Sequence, residues 1–442
     1  MAGEWTRRDF LRRSSAAAAG TAALGAAGCT SGGDDDADDD ADDWDPQDWA
    51  SVRDQFPLRT DHVQLAAFVL AAHPRPVARA IADFRADLDR DPQAALNAHG
   101  SAESEARQAA ADHLGGQPEH IALTDSTTMG LGLLYGGLRL SGSDEVVTSE
   151  HDFYATHEAL RLRAARDGIG VRRVALYDNP AQASSDEIVG RLTAAIRPQT
   201  RAVALTWVHS GTGVKLPVAD IAAALREVNA ARPAPDRVLL CVDGVHGVGA
   251  QDATPDELGC DFLVTGTHKW LFGPRGTGLV WGRPAAWSRV DHLLPSFAPL
   301  AMEAWSAGTT PHDRWPGELA SPGGYHSFEH RWALAEAFRF LARIGRERIA
   351  HRTTSQATQL KLGLTEIDGV EVITPRSSRL SAGIVCAAVP GREPHELVDL
   401  LRQRNIVASV TPYAQPYLRF GPSIVTTPDD IDRALTALRQ IV

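Results

Sequence analysis

From about residue 100 to 285, short β-branched runs alternate with segments of helical periodicity, which restricts the chain to a mostly parallel sheet joined by crossover helices. Candidate strands cover residues 121–124, 145–148, 171–176, 201–207, 237–243, 261–265 and 277–281. Between them, Ser184 and Glu187 have the three-residue spacing of a capping box at a helix start. Residues 328–343 read as one long helix leading out of this region. Residues 370–442 hold further strands and two helices, the last opening at Thr427-Pro428 with threonine as cap and proline in the first turn. The expected architecture is α/β, with a large domain over residues 51–327 and a smaller α+β domain over residues 328–442. No repeat at a fixed spacing competes with it.

Sheets of this kind bind ligands beyond the carboxyl ends of their strands, and three polar clusters fall at such ends: Asp125 to Thr128, Asp243 to His246, and Thr265 to Lys269. Of 44 basic residues only three are lysines, Lys215, Lys269 and Lys361, so chemistry that needs an amine nucleophile has three candidates. Lys269 follows a buried-looking strand beside Trp270 and Phe272, a setting that lowers an amine's pKa and frees its lone pair. Lys215 follows a loop and Lys361 falls in an amphipathic helix, so both are expected to face solvent. Asp243 ends the apolar run Val238 to Val242, where an unpaired carboxylate is expensive and calls for a cationic partner. Ser126-Thr127-Thr128 opens a helix, and free backbone N–H groups with hydroxyls at such a place suit a phosphate dianion. No GxxxxGK[ST] pattern accompanies it, which disfavours a nucleotide P-loop.

The spaced pair Val242-Asp243-Gly244-Val245-His246 and Thr267-His268-Lys269 resembles the class V aminotransferase family of pyridoxal phosphate enzymes, and the resemblance runs from about Phe56 to the end. That family has the type I aminotransferase fold and includes cysteine desulfurases, kynureninases and isopenicillin N epimerases. The resemblance implies that Lys269 is joined covalently to the cofactor, that Asp243 pairs with its pyridinium, and that Thr127, Thr128, Thr267 and His268 hold its phosphate. It places Ser210 and His246 near the ring hydroxyl, where many relatives carry Asn and Gln. The stretch Glu150 to Thr156 resembles the one that supplies the ring-stacking residue; Tyr154 is preferred, with His151 and Phe153 behind it. Tyr417-Leu418-Arg419-Phe420-Gly421 resembles the site of the substrate-carboxylate arginine, since a planar guanidinium can grip a carboxylate through two parallel hydrogen bonds. Relatives are commonly homodimers completed by a neighbouring loop, which residues 323–327 resemble, with Tyr325 where a phosphate-binding threonine is often found.

The implied substrate is an amino acid or a close analogue. No cysteine lies between Cys386 and Arg419, so a persulfide-carrying thiol is not expected. Epimerisation or carbon–sulfur lysis is preferred to transamination on the same fold. An exported, non-catalytic ligand-binding protein is the alternative of another class; it predicts loss of Lys269 or Asp243, and both are present. A metallohydrolase is disfavoured, because the sixteen histidines include no HExxH spacing, and no metal ligand is assigned.

Ahead of the globular part, Arg7-Arg8 with Phe10-Leu11 and the alanine-rich stretch to Gly28 resemble a twin-arginine export signal over residues 1–29. Ala26-Ala27-Gly28-Cys29 resembles a lipoprotein processing site, making Cys29 a candidate lipid anchor. These features imply the twin-arginine machinery as a partner and a periplasmic or extracellular destination. Residues 30–50 read as an acidic disordered linker, because nine aspartates lie between Asp34 and Asp45. That run accounts for most of the formal charge of −12, and nothing in the remainder is basic enough to argue for nucleic acid.

Overall fold

The computed structural model describes residues 44–311 and 316–442. The export signal, Cys29 and most of the aspartate run lie outside the described residues. The strands are β1 (Val63–Gln64), β2 (Ile121–Thr124), β3 (Glu145–Ser149), β4 (Gly170–Val174), β5 (Thr200–Thr206), β6 (Leu239–Asp243), β7 (Phe262–Gly266), β8 (Gly278–Gly282), β9 (Glu371–Val372), β10 (Val385–Ala388), β11 (Ile406–Val407), β12 (Ser409–Val410) and β13 (Leu418–Phe420). β2 to β8 form one sheet in the order β2-β8-β7-β6-β5-β3-β4. Only β8 runs against its neighbours; the other pairings are parallel. Every residue of β2, β3, β6, β7 and β8 is buried, as a sheet covered by helices on both faces requires, whereas the edge strand β4 is largely exposed or half-buried.

The helix Thr127–Gly137 lies close on this sheet because Gly130 has no side chain; a Cβ there would stand 2.6 Å from Val264 Cγ1. That close approach sets the helix start, and so Thr127, above the ends of the central strands. The C-terminal part forms an antiparallel sheet in the order β12-β13-β10-β9, packed with helices Arg346–Thr365, Pro394–Arg402 and Pro428–Arg439.

Several details depart from the reading of the sequence. β1 pairs in parallel with β11, so this early segment joins the C-terminal part rather than the large sheet. Val63 and Leu65 are fully buried there, and their N–H groups donate to the carbonyls of Asn405 and Val407. The acidic linker does not extend to residue 50. Trp44 is buried against Phe340, with its ring beneath the Arg343 guanidinium, and Asp48 caps the helix Trp49–Asp54 by accepting from the N–H groups of Ala50 and Ser51. The long helix expected over 328–343 is two helices, Phe328–Trp332 and Leu334–Ile344. Ser184 does cap the helix Ser185–Ala195, but Glu187 turns to Arg191 at 2.9 Å instead of returning to the cap, whereas Thr427 and Asp430 form a complete capping box.

Two lysines expected in solvent are not there. Lys361 is only 3% exposed; its ammonium donates to Pro375 O and Arg376 O, both at 2.9 Å, and to Ser381 Oγ at 2.6 Å. Three convergent acceptors make an interior position tolerable for a cation that helix periodicity alone assigns to the surface. Lys215 is half-buried and donates to Gln251 Oε1 at 2.8 Å.

Candidate active site

Because β2, β3, β5, β6 and β7 point the same way, the loops after them leave one edge of the sheet and converge. β6 delivers Asp243, which is 1% exposed and accepts from the Val245 N–H at 3.0 Å. Burial pushes this carboxyl up to about 6, although the Val245 N–H and the Lys269 charge both pull it down. β7 delivers Thr267, His268 and Lys269, and the turn beyond them forces Phe272 into the left-handed region at φ 51, where its ring packs edge-on against Phe56. Burial lowers the Lys269 amine to about 8; Asp243 opposes that shift and Arg419 adds to it. Lys269 Nζ lies 3.3 Å from His246 Nε2, and the Trp270 indole N–H donates to His246 Nδ1 at 3.2 Å. A lysine amine held part-neutral beside a buried carboxyl is the arrangement a nucleophilic or proton-transferring amine needs.

The loop after β2 supplies Ser126, which caps the helix by accepting from the Met129 N–H, and Thr127, whose buried hydroxyl has no hydrogen-bond partner. Gly266 allows Thr127 and His268 to approach one another: a Cβ there would stand 2.9 Å from Thr127 Oγ1 and 3.0 Å from the His268 ring. An orphaned hydroxyl at a helix N-terminus beside an imidazole is a cradle for an anion. Across the cleft, β13 carries Arg419, which is 6% exposed and forms no ion pair among the described residues. Its guanidinium donates to Ser409 Oγ and to Ser210 O, each at 3.1 Å, and lies 4.7 Å from the Phe68 ring centroid. A buried guanidinium held by neutral acceptors retains its charge for an incoming carboxylate.

A sequence profile of the family described as aminotransferase class V matches residues 71–419. The chain belongs to the class V aminotransferase family. An isopenicillin N epimerase of Streptomyces clavuligerus is 29% identical over 403 residues, which covers 88% of this class V chain and 98% of the epimerase. A probable cysteine desulfurase of Xylella fastidiosa is 25% identical over 423 residues, covering 89% of this chain and 95% of the relative. Among solved structures, the cystine C–S lyase C-DES in complex with cysteine persulfide has a TM-score of 0.79 at 21% identity, covering 87% of this chain and 99% of that one. Cysteine desulfurase from Thermococcus onnurineus has a TM-score of 0.74 at 19% identity, covering 89% and 98%. These likenesses establish the type I aminotransferase fold.

The class V site gathers Thr127, Asp243, His246, His268, Lys269, Ser210 and Arg419, but not every expected residue points into it. Thr128 is exposed, and the Thr267 hydroxyl is engaged by the turn at Pro274 and Thr277. Tyr154 sits at the first position of the helix Tyr154–Asp167 with 67% of its surface exposed. Of the two aromatic neighbours kept behind it, His151 stacks on Tyr177 at 3.8 Å and Phe153 lies edge-on to Tyr413 at 6.2 Å. Tyr325 is 88% exposed.

Two contributors were missed in the sequence. Tyr413 meets Ser210 Oγ with its hydroxyl at 2.9 Å, and its ring fills the space left by Gly211, where a Cβ would stand 2.9 Å from it. Nothing local marks it, since only the fold of the C-terminal part carries it to the loop after β5. Phe68, fully buried between Arg419 and Trp270, is the other; its apolar neighbours gave no hint of two functional contacts.

Proposed function

We propose that this class V protein is a pyridoxal phosphate-dependent enzyme that acts on an amino acid or close analogue by epimerisation or carbon–sulfur lysis. The observation that carries the reading is the part-neutral Lys269 amine near the buried carboxyl of Asp243, with a buried arginine nearby that forms no ion pair among the described residues. The donor set fits the cofactor. Asp243 forms no ion pair among the described residues and would pair with a protonated ring nitrogen; the orphaned Thr127 hydroxyl and the helix N-terminus would take the phosphate; Lys269 would take the aldehyde. Pyridoxal phosphate, when bound, supplies an electron-withdrawing ring that stabilises negative charge at a substrate's α-carbon.

The chain's own residues then divide the work. Arg419 grips the substrate carboxylate, and the Ser210 and Tyr413 hydroxyls line the same side of the cleft. Lys269, whose free amine is lowered to about 8, would be the base that takes the α-proton. Persulfide transfer is disfavoured among lyase chemistries. Cys241, Cys260 and Cys386 are all buried, and Cys386 is fixed in β10 opposite Arg419 with its thiol pushed far up by burial.

The test is to incubate holoenzyme with amino acids, including cystine, in heavy water and identify products by mass spectrometry. Inversion with one deuterium at Cα supports epimerisation, and pyruvate with a sulfur product supports lysis. A keto acid formed with amine transfer to the cofactor overturns both. Borohydride reduction and peptide mapping must label Lys269.

Two further parts of the reading rest on sequence motifs. Arg7-Arg8 and the following apolar stretch support export by the twin-arginine route to the periplasm or beyond, with Cys29 as lipid attachment site. Cell fractionation with and without Arg7→Lys and Arg8→Lys checks the first, and metabolic lipid labelling the second. The exposed loop at Tyr325 supports a homodimer, which sedimentation measures directly.

A further inference from the structure

Trp270 is 2% exposed and wedged tightly. A Cβ at Gly249 would lie 2.7 Å from its backbone, one at Gly383 would lie 2.5 Å from its ring, and Phe68 stacks on it at 6.1 Å and 22°. Its indole N–H therefore points in one direction, toward His246 Nδ1 at 3.2 Å. Indole nitrogen is a donor only, so Nδ1 must be the acceptor and the proton of a neutral imidazole must sit on Nε2. Nε2 in turn faces Lys269 Nζ at 3.3 Å. Two groups that both present N–H cannot share that contact; an Nε2–H is compatible with the lone pair of an uncharged amine and opposes an ammonium. The reverse arrangement, ammonium donating to Nε2, would put an Nδ1–H against the indole N–H.

We propose that Trp270 is a positioning residue that locks His246 as the Nε2–H tautomer, so that His246 acts only as a donor toward Lys269 and toward any acceptor that later occupies that place. The imidazole stays neutral chiefly because it is buried, and the charge of Arg419 also opposes a positive charge on it. Asp243 is the charged group that favours the ammonium form of Lys269, with Arg419 opposing it, so the Trp270–His246 pair acts beside Arg419. The inference rests on Lys269 as the attachment amine of the proposed function and is independent of the reaction type.

The experiment uses the full chain stripped of cofactor. Nitrogen-15 NMR of histidine-labelled protein reads the tautomer directly, and assignment comes from the signal missing in His246→Gln. The pH dependence of Lys269 modification by an amine-reactive reagent, read by mass spectrometry, reports the amine's midpoint. The wild type is expected to show a protonated Nε2 and a bare Nδ1. Trp270→Phe keeps the stacking ring but removes the donor, which frees the imidazole to accept from the ammonium. The Lys269 midpoint should then rise by about one pH unit, a roughly tenfold slower modification at fixed pH below it. His246→Gln, whose amide accepts from the indole and donates to the amine, should keep the low midpoint. A bare Nε2 in the wild type, or an unchanged midpoint in folded Trp270→Phe, overturns the proposal. Should that variant fail to fold, the wild-type tautomer decides alone. Failure here leaves the heavy-water products untouched, so the two readings fall separately.

Discussion

At the scale of single residues, the site stores opposed burial penalties that cofactor binding would relieve. Lys269 is lowered from 10.5 to about 8, so its free amine predominates above about 8 rather than above the usual range. The rate at which the cofactor-free protein combines with pyridoxal phosphate should therefore rise with pH through about 8 and then level off, as stopped-flow absorbance reads. Lys269→Ala should abolish both the bound chromophore and turnover. Asp243 is raised from 3.8 to about 6, so the folded protein holds a proton the unfolded chain has released in that window. Stability of the cofactor-free protein thus falls as pH climbs from about 4 to 6, by about 3 kcal/mol from this group. Asp243→Asn should be the more stable protein above pH 6 by up to about that amount and lose the advantage below about 4, while binding the cofactor more weakly; urea unfolding across the range and cofactor titration check the two halves. Arg419→Lys keeps a charge but not the fork, and is expected to raise KM by roughly 10- to 100-fold, in line with charged hydrogen bonds of about 1.5–3 kcal/mol.

At the scale of elements, hydrogen bonds made by one side chain hold a helix to a loop. Lys361 joins the helix Arg346–Thr365 to residues 375–381 through three acceptors, and burial lowers its amine to about 8. Lys361→Ala leaves those acceptors without their donor and should destabilise the protein by about 2–4 kcal/mol, measured by urea unfolding at pH 7. The central strands were legible because each is a short run buried on both faces and flanked by turn residues, which hydrophobic patterning reports directly. Helix ends were less so. Glu187 has the right spacing for a capping box, yet Arg191, one turn along, takes its carboxylate, and only three-dimensional competition between partners decides that.

At the scale of the whole molecule, the N-terminal segment connects the two halves: β1 extends β11, Ala66 bridges Gly421, and Phe68 continues to Arg419 and Trp270. Deleting residues 1–66 should therefore do more than trim an end. Exposing the β11 edge and removing buried Val63 and Leu65, each worth about 1.5–3 kcal/mol, is expected to give insoluble or unfolded protein by circular dichroism. The parallel sheet and the three polar clusters at its strand ends were readable from the chain alone, because periodicity and strand-end placement are local properties; the preference for Lys269 rested in part on solvent exposure of Lys215 and Lys361, which packing overturns. Long-range packing sets who meets whom in the site: Tyr413 against Ser210, Phe68 between Arg419 and Trp270, the indole on His246, and the burial of Lys361. Each of these depends on segments far apart in the chain packing together, and a contact made by packing leaves no spacing in the sequence from which to read it.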